Sequence, residues 1–228
     1  MIHFLKMTLR ALSAPLISFC AFAQGPPQDL FARMQTMAAA LGVSCNYCHS
    51  AERGSGQPEP KKDIARAMIA MTAEINGRVE AAAGKLNAPA TKVDCITCHR
   101  GVPIPKQLGE ILTQTLREKG ADAAVAQYKD LHDRYYGRAA YDFGETTILG
   151  IAQPLATRSP DDALKLLNAQ LEYMPKSAQT LAMIAFAYTR KYDDATAITY
   201  LERALEIEPT NGVIAGQLEQ LKSYRRRK

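Results

Sequence analysis

The chain has 228 residues, of which 47% are apolar and 22% are charged, and these values are typical of a globular protein with one or two domains. They argue against a wholly disordered chain, and 14 glycines with 12 prolines but no Gly-x-y period exclude a collagen-like one. The formal net charge of +5 is modest, and its one dense basic run, residues 225–228, ends the chain. We therefore expect no nucleic-acid partner.

The first 23 residues predict an export signal. Two basic residues precede an apolar run, residues 11–22, which is followed by the small residue Ala23. We expect cleavage after Ala23 and delivery to the periplasm, so Cys20 is removed with the signal. An uncleaved membrane anchor would need about 20 apolar residues. Lipidation of Cys20 also fits less well, because the bulky Phe19 directly precedes it.

Two copies of one five-residue motif carry the strongest chemical signal. The pattern C-x-x-C-H is the attachment signature of c-type haem. Two thiols three positions apart can each bond one vinyl group of the porphyrin, and the adjacent imidazole then lies under the iron as its proximal ligand. We expect two covalently bound haems per chain. They would be attached through Cys45, Cys48, Cys95 and Cys98, with His49 and His99 as proximal iron ligands.

Two other uses of these cysteines are open. Four thiolates could hold one structural zinc ion, and each C-x-x-C pair could form a disulfide or a redox pair. Either use leaves both histidines without a role, although the chain has only 4 histidines in 228 residues. Haem also agrees with export, whereas a reduced zinc site is less at home outside the cytoplasm.

A helix-like segment with the same internal spacing precedes each motif. The first carries Met34 and Met37, and the second carries Met68 and Met71 at equivalent positions. One unit, a helix followed by a haem motif, therefore occurs twice. A six-coordinate haem needs a sixth ligand, and a thioether is common in electron carriers. We expect one methionine of each pair on the iron and the other in an apolar core.

These residues resemble a known family, the cytochrome subunit bound to bacterial photosynthetic reaction centres, together with its smaller two-haem relatives. The resemblance covers about a third of the chain. The matching stretches are Met34-x-x-Met37-x-x-x-Leu41-Gly42-Val43-Ser44-Cys45-x-x-Cys48-His49, Ala65-Arg66-x-Met68-x-x-Met71-Thr72-x-x-Ile75-Asn76 and Cys95-Ile96-Thr97-Cys98-His99-Arg100-Gly101-x-Pro103-x-Pro105.

The resemblance implies that the first methionine of each pair, Met34 or Met68, is the sixth ligand, with Met37 and Met71 as second choices. It also implies redox partner proteins such as membrane-bound photosynthetic or respiratory complexes. The reaction-centre subunit carries four haems, whereas this chain has one pair of motifs. One family haem takes a histidine from the stretch before a motif, and residues 78–94 contain none.

Four other residues in the mature chain have candidate roles. Arg33, Arg66 and Arg100 adjoin the ligands and could pair with haem propionates, because guanidinium recognises carboxylate through two parallel bonds. The equally good alternative is that these three arginines are solvated surface residues without a role at the haem. His132 lies among polar residues of the sequence, so we expect a solvated helix residue and no ligand role.

The second half of the chain has a different design. Prolines in residues 101–105 break the chain after the second motif, and from Leu108 onward the apolar spacing is helical. Residues 177–210 have the length and the small-residue positions of a tetratricopeptide repeat (TPR). Residues 143–176 form a degraded copy, residues 107–141 an irregular helix pair, and residues 211–224 a terminal helix.

The sequence thus predicts an all-α protein with an export signal (1–23), a di-haem cytochrome c module (24–107) and a short TPR-like helical-hairpin solenoid (108–228). We expect it to transfer single electrons, to have no enzymatic activity and to dock a protein or peptide through the repeats. The alternatives are a di-haem peroxidase-like oxidoreductase, a haem-based redox sensor and a scaffold. The repeats could also serve only to cover the haem module.

Overall fold

A computed structural model describes residues 30–49 and 59–227 of the chain, and the predicted export signal with Cys20 lies outside the described residues. The described residues are helical with no β-strand, which confirms the predicted all-α class. The elements in chain order are α1 (Leu30–Leu41), a 3-10 turn (Cys45–Tyr47), α2 (Pro60–Lys85), α3 (Cys95–His99), α4 (Leu108–Lys119), α5 (Ala121–Tyr135), α6 (Glu145–Arg158), α7 (Pro160–Tyr173), α8 (Ala178–Arg190), α9 (Asp194–Ile207) and α10 (Gly212–Arg227).

Helix α2 has 26 residues, and none of them is buried. Pro60 begins it, at a position where the missing N–H costs nothing. Its apolar side chains nevertheless form one stripe, because they recur three or four residues apart. The members of this stripe are Ile64, Met68, Met71, Ile75 and Val79. Helix α2 therefore presents an apolar face that the described polypeptide covers only in part.

The carboxyl end of α1 packs against the turn that follows the second motif. The N–H of Gly101 donates a 2.8 Å hydrogen bond to the carbonyl oxygen of Ala40. Gly42 ends α1 with φ +66°, and a Cβ atom there would collide with the Gly101 carbonyl group. Only glycine allows both the left-handed conformation and this close approach. The helix before the first motif thus also supports the second.

The second half of the chain consists of helix pairs that stack in order. α4 packs on α5, α6 on α7, and α8 on α9, and each pair contacts the next. The proline-containing segment of residues 101–105 lies between α3 and α4. Helices occur in each of the four segments predicted after it, residues 107–141, 143–176, 177–210 and 211–224. Pro154 lies inside α6, which continues through it to Arg158.

Two apolar clusters that share contacts with α7 and α8 form the core. The first joins α4 to α8 and contains Leu112, Tyr128, Ile148, Leu167 and Ile184, all fully buried. The second joins α8, α9 and α10 around Leu181, Leu201 and Ile214. Small residues at the helix contacts, Ala185, Ala197 and Ala204, are also buried and allow the helices to approach closely. Within the described residues, no helix is both long and apolar enough to cross a membrane.

Candidate haem-binding site

The second motif forms the short helix α3, and the residues on either side of it, Asp94 and Arg100, cap that helix. The carboxylate of Asp94 accepts a hydrogen bond from the N–H of Thr97, and the Thr97 hydroxyl accepts one from the N–H of Asp94. This capping box satisfies amide groups that the first turn leaves unpaired. The helix ends at Arg100, which has φ +49°. Thr97 therefore fixes the turn that carries both cysteines.

His99 is 9% exposed and has a defined ring orientation. Its Nδ1 lies 2.9 Å from the carbonyl oxygen of Val102. A carbonyl can only accept, so Nδ1 carries the proton and Nε2 keeps a free lone pair. A hydrogen bond from the second ring nitrogen to a backbone carbonyl is the usual way of orienting a histidine that ligates a metal. The geometry therefore prepares His99 for an iron ligand role.

The first motif forms a single tight turn directly after α1. The N–H of His49 donates a 3.1 Å hydrogen bond to the carbonyl oxygen of Cys45, which brings both ends of the motif together. Cys45 is exposed, whereas Cys48 and His49 are half-buried. The ammonium group of Lys61, on α2, lies 3.8 Å from the centre of the Tyr47 ring. This cation–π contact links the first motif to the start of α2.

Asn76 connects α2 to the segment that enters the second motif. Its side-chain oxygen accepts a 2.8 Å hydrogen bond from the N–H of Val93, and its side-chain NH₂ donates one of 2.8 Å to the Val93 carbonyl. Val93 lies two residues before Cys95. Asn76 belongs to the stretches that resemble the family, but its sequence position alone indicates no role. The only sequence signal was its place on the helix that carries Met68.

The donor set at the two motifs fits covalent haem. All four motif cysteines are free thiols, so no disulfide joins them in the described chain. The described residues contain no group of three or more His, Cys, Asp or Glu side chains placed to hold a metal ion. Residues 30–49 and 59–107 bury only Ala40, His99 and Val102. This part of the chain therefore has few buried side chains of its own, which is compatible with a further apolar group packing against it.

The four candidate methionines lie on the two helices as the spacing predicts. Met34 and Met37 are half-buried on α1, and Met68 is half-buried on α2. Met71 is 42% exposed in the same apolar stripe. The carbonyl oxygen of Met68 accepts a 2.8 Å hydrogen bond from the Thr72 hydroxyl. Both members of each pair thus share one helix face, and the choice of ligand within each pair stays a prediction.

The arginines near the ligands are exposed. Arg66 forms a 2.6 Å ion pair with Asp63, one turn away on α2. Arg100 donates hydrogen bonds to the carbonyl oxygens of Thr97 (3.4 Å) and Ala139 (3.3 Å). Arg33 is exposed on α1. Arg100 therefore already connects the second motif to the loop between α5 and α6, a contact that the sequence did not indicate.

His132 lies on α5 and is half-buried, so the expected helix residue is less solvated than its polar sequence neighbours indicate. Its ring stacks on Tyr173, with 3.6 Å between ring centroids, and on Tyr136 at 4.5 Å. Phe143 approaches its edge at 5.0 Å. The polar neighbours of His132 in sequence gave no indication of these contacts, because Tyr173 comes from α7 and Phe143 from the α5–α6 loop. His132 packs within an aromatic cluster.

This aromatic cluster joins α5, the α5–α6 loop and α7. Tyr128 is fully buried in it, and its burial, with the neighbouring Tyr173 as a smaller cause, raises the pKa of Tyr128 to about 12. Burial likewise raises the pKa of Tyr141 above its usual value. Tyr141 packs edge-on against Tyr135 at 5.2 Å and lies 6.2 Å from Phe143. The loop is thereby fixed on the helices beneath it.

Comparison with known protein families matches residues 28–143, just over half of the chain, to the family described as photosynthetic reaction centre cytochrome C subunit. Over 64 residues, the chain is 38% identical to a photosynthetic reaction center cytochrome c subunit from Rubrivivax gelatinosus; this region is 28% of the chain and 16% of that protein. Over 69 residues, it is 33% identical to cytochrome c-554 from Chloroflexus aurantiacus, which is 30% of the chain and 16% of that protein. The chain thus spans about a sixth of the length of these relatives.

Proposed function

The chain belongs to the family of the photosynthetic reaction centre cytochrome c subunit, and on this basis we propose that it is an exported di-haem c-type cytochrome that transfers single electrons between redox partners. Membership of the family implies covalently bound haem c and a role in electron transfer. Two haems per chain, export after Ala23 and docking through the repeats are the further parts of the proposal. They rest on this chain's own residues.

The observation that best supports the proposal is the geometry of the second motif. α3 carries two free thiols one turn apart, and the Nδ1 of His99 is bound to the Val102 carbonyl. That bond leaves Nε2 with its lone pair for iron. The first motif has the same five-residue pattern on a single turn, with His49 bonded back to Cys45. We therefore assign the same two roles to the first motif, haem attachment to its cysteines and iron ligation to His49.

Each side chain of the site has a distinct task. Cys45, Cys48, Cys95 and Cys98 would hold the haems, each thiol adding across a vinyl C=C bond so that sulfur bonds one carbon, hydrogen goes to the other and nothing is oxidised. His49 and His99 would each provide a ring nitrogen for iron, and Met34 and Met68 a thioether sulfur. When bound, the haem iron accepts and releases one electron at a time. The chain positions the iron, excludes water from it and sets its potential.

The helix pairs of the second half support a docking role. α8 and α9 lie within the predicted 34-residue unit and pack on the preceding pair, as repeats of a TPR-like solenoid would. Such stacks present an extended surface for a protein or peptide. We place the module boundary at residues 107 and 108, directly before α4. The proposed partners are redox proteins, including membrane-bound respiratory or photosynthetic complexes, and the proposed compartment is the periplasm.

Intact-mass measurement of the denatured mature protein tests the proposal, combined with an optical redox titration of the native protein. We expect the mass of residues 24–228 plus two haems, because thioether bonds survive denaturation. The titration should fit two one-electron steps. A mass with one haem or none, or with zinc, would contradict the di-haem assignment. A haem spectrum that no one-electron mediator can reduce would contradict the carrier assignment.

A further inference from the structure

A cavity of about 660 Å³ lies where the second haem motif meets the helix pairs. The linker between α3 and α4 contributes to it at residues 105–109. Thr97, Cys98 and Arg100, from the second motif and its end, line the cavity together with Ala140, Tyr141 and Asp142. The last three belong to the loop between α5 and α6, residues 136–144, which lies beyond the proposed boundary of the haem module.

We propose that the α5–α6 loop is part of the binding site of the second haem, with Tyr141 as the residue that shields that haem from water. This inference rests on the proposed function, because it requires a haem bonded to Cys98. The Cys98 side chain is exposed and borders the cavity. A porphyrin edge joined to its sulfur would border the same cavity that Tyr141 lines.

The loop is connected directly to the motif. The guanidinium of Arg100 donates to the carbonyl oxygen of Ala139 at 3.3 Å, across 39 residues of sequence. Both residues adopt left-handed backbone conformations, with φ +49° at Arg100 and φ +56° at Ala139. Such conformations are uncommon for non-glycine residues and persist where the surrounding structure holds them. The residue directly after the proximal histidine is thus bound to the wall of the cavity.

The loop is also rigid enough to act as a wall. Tyr141 packs against Tyr135 and Phe143 in the aromatic cluster. The carboxylate of Asp142 accepts a 2.7 Å hydrogen bond from the N–H of Gly144, and its carbonyl oxygen accepts one of 3.0 Å from the Thr147 hydroxyl. These bonds tie the loop to the first turn of α6. Tyr141 is therefore held beside the cavity by contacts that do not involve haem.

The arrangement gives the repeat module control over one haem. Solvent access around a bound metal group sets its local dielectric and hence its reduction potential. Removal of the Tyr141 ring admits water, which stabilises the more highly charged ferric form. The potential of the second haem then falls, while that of the first haem, attached at residues 45–49, stays unchanged.

The test is an optical redox titration of the full mature holoprotein carrying Tyr141→Ala, with Tyr141→Phe and Tyr192→Ala as controls. Tyr192 lies in the α8–α9 turn and is 90% exposed, so its removal changes the same residue type away from the cavity. We expect Tyr141→Ala to lower the reduced-to-oxidised ratio of one haem about threefold or more at fixed potential. Tyr141→Phe keeps the ring and should leave both steps close to wild type.

Equal shifts of both haems, no shift, or the same shift in Tyr192→Ala would overturn the inference. A second measurement on the wild-type protein remains decisive if Tyr141→Ala does not fold. Low-spin ferric haem is paramagnetic, so the amide NMR signals of residues 139–142 should move between the reduced and oxidised states, whereas those of residues 191–193 should not. Unmoved signals at 139–142 would also overturn it. Intact mass, which counts the haems, separates these outcomes from a failure of the proposed function.

Discussion

Two methionines on α2 are the candidate sixth ligands of the second predicted haem. Met68 is half-buried and Met71 is 42% exposed, and both lie in the same apolar stripe. The resemblance to the family favours the first methionine of the pair. We expect Met68→Ala to abolish the thioether-to-iron absorption band of one haem and to lower its potential, because the thioether stabilises the ferrous state.

Met71→Ala is the matched control, since it removes the same side chain one turn along the same helix. It should retain the absorption band and both potentials. Because Met71 is 42% exposed, its loss should cost less than the roughly 2–5 kcal/mol typical of a buried methionine. Loss of the band in Met71→Ala and its retention in Met68→Ala would assign the ligand to the second methionine of the pair.

Asn76 positions the entry to the second motif, so its replacement should loosen Val93. Asn76→Ala removes both side-chain hydrogen bonds to the Val93 backbone. We expect the free energy of local unfolding at Val93 to fall by about 1–3 kcal/mol. Amide hydrogen exchange at Val93 should then accelerate about tenfold or more, whereas helical content should stay unchanged. Asn168→Ala, at an exposed position of α7, is the control. An unchanged exchange rate at Val93 would contradict the positioning role.

At the scale of single residues, the sequence predicts the features that depend only on short spacings along the chain. The five-residue motifs and the methionine pairs need only spacing to be identified. The roles of Asn76 and His132 depend on contacts across 17 and 41 positions, to Val93 and Tyr173 respectively. No periodic pattern in the sequence indicates contacts between residues so far apart along the chain. The polar sequence neighbours of His132 therefore did not indicate its aromatic contacts.

At the scale of elements, the contact between α1 and the second motif can be tested by a pair of glycines. Gly42 has φ +66°, and a Cβ there would lie 2.8 Å from the Gly101 carbonyl carbon and closer still to its oxygen. Gly42→Ala should cost about 2 kcal/mol or more through backbone strain and the displacement of α1. Exchange of the Gly101 amide, which donates to Ala40, should accelerate.

Gly77→Ala is the matched control, because Gly77 lies inside α2 and a Cβ there meets nothing within 4 Å. Alanine in a helix interior is favoured over glycine by about 0.5–1 kcal/mol. We therefore expect the thermal midpoint to rise in Gly77→Ala and to fall in Gly42→Ala. If both substitutions raise it, α1 does not require the close approach to Gly101.

The existence of most helices follows from the sequence, but their contacts do not. The 3.6-residue apolar period indicates α1, α2 and the helices after Leu108, and the prolines of residues 101–105 separate the two halves. The repeated unit does not indicate which motif each helix contacts. In the structure α1 contacts the turn of the first motif and also packs against α3, which carries the second. Helix pairing depends on long-range packing, which an internal repeat alone does not specify.

At the scale of the whole molecule, the two halves obtain their stability in different ways. The helix pairs bury two apolar clusters from Leu108 to Leu218. The described part of the proposed haem module buries three residues and covers the apolar stripe of α2 only in part. A bound porphyrin is large and apolar enough to form the missing core. We infer that folding of the first half is coupled to haem attachment, whereas the second half folds on its own contacts.

The same arrangement bears on whether the protein carries electrons or performs chemistry. Peroxide cleavage at haem iron requires an open sixth position and a distal acid–base group that shuttles a proton. Each predicted haem has a candidate thioether on the helix before its motif. His132, the one histidine of residues 59–227 outside the second motif, is stacked between Tyr136 and Tyr173. It is held there by aromatic contacts from α5 and α7.

We therefore expect neither haem to bind external ligands. The measurement mixes the fully reduced and the half-reduced protein with carbon monoxide and, separately, with hydrogen peroxide, while the Soret band is recorded. The half-reduced state is included because a closed haem can open when its partner is reduced. Spectra should stay unchanged, and a one-electron dye should exchange electrons rapidly. Met68→Ala provides the positive control, since removal of the thioether opens one iron to carbon monoxide. Stoichiometric binding or rapid peroxide turnover by the wild-type protein would replace the carrier assignment with a peroxidase-like one.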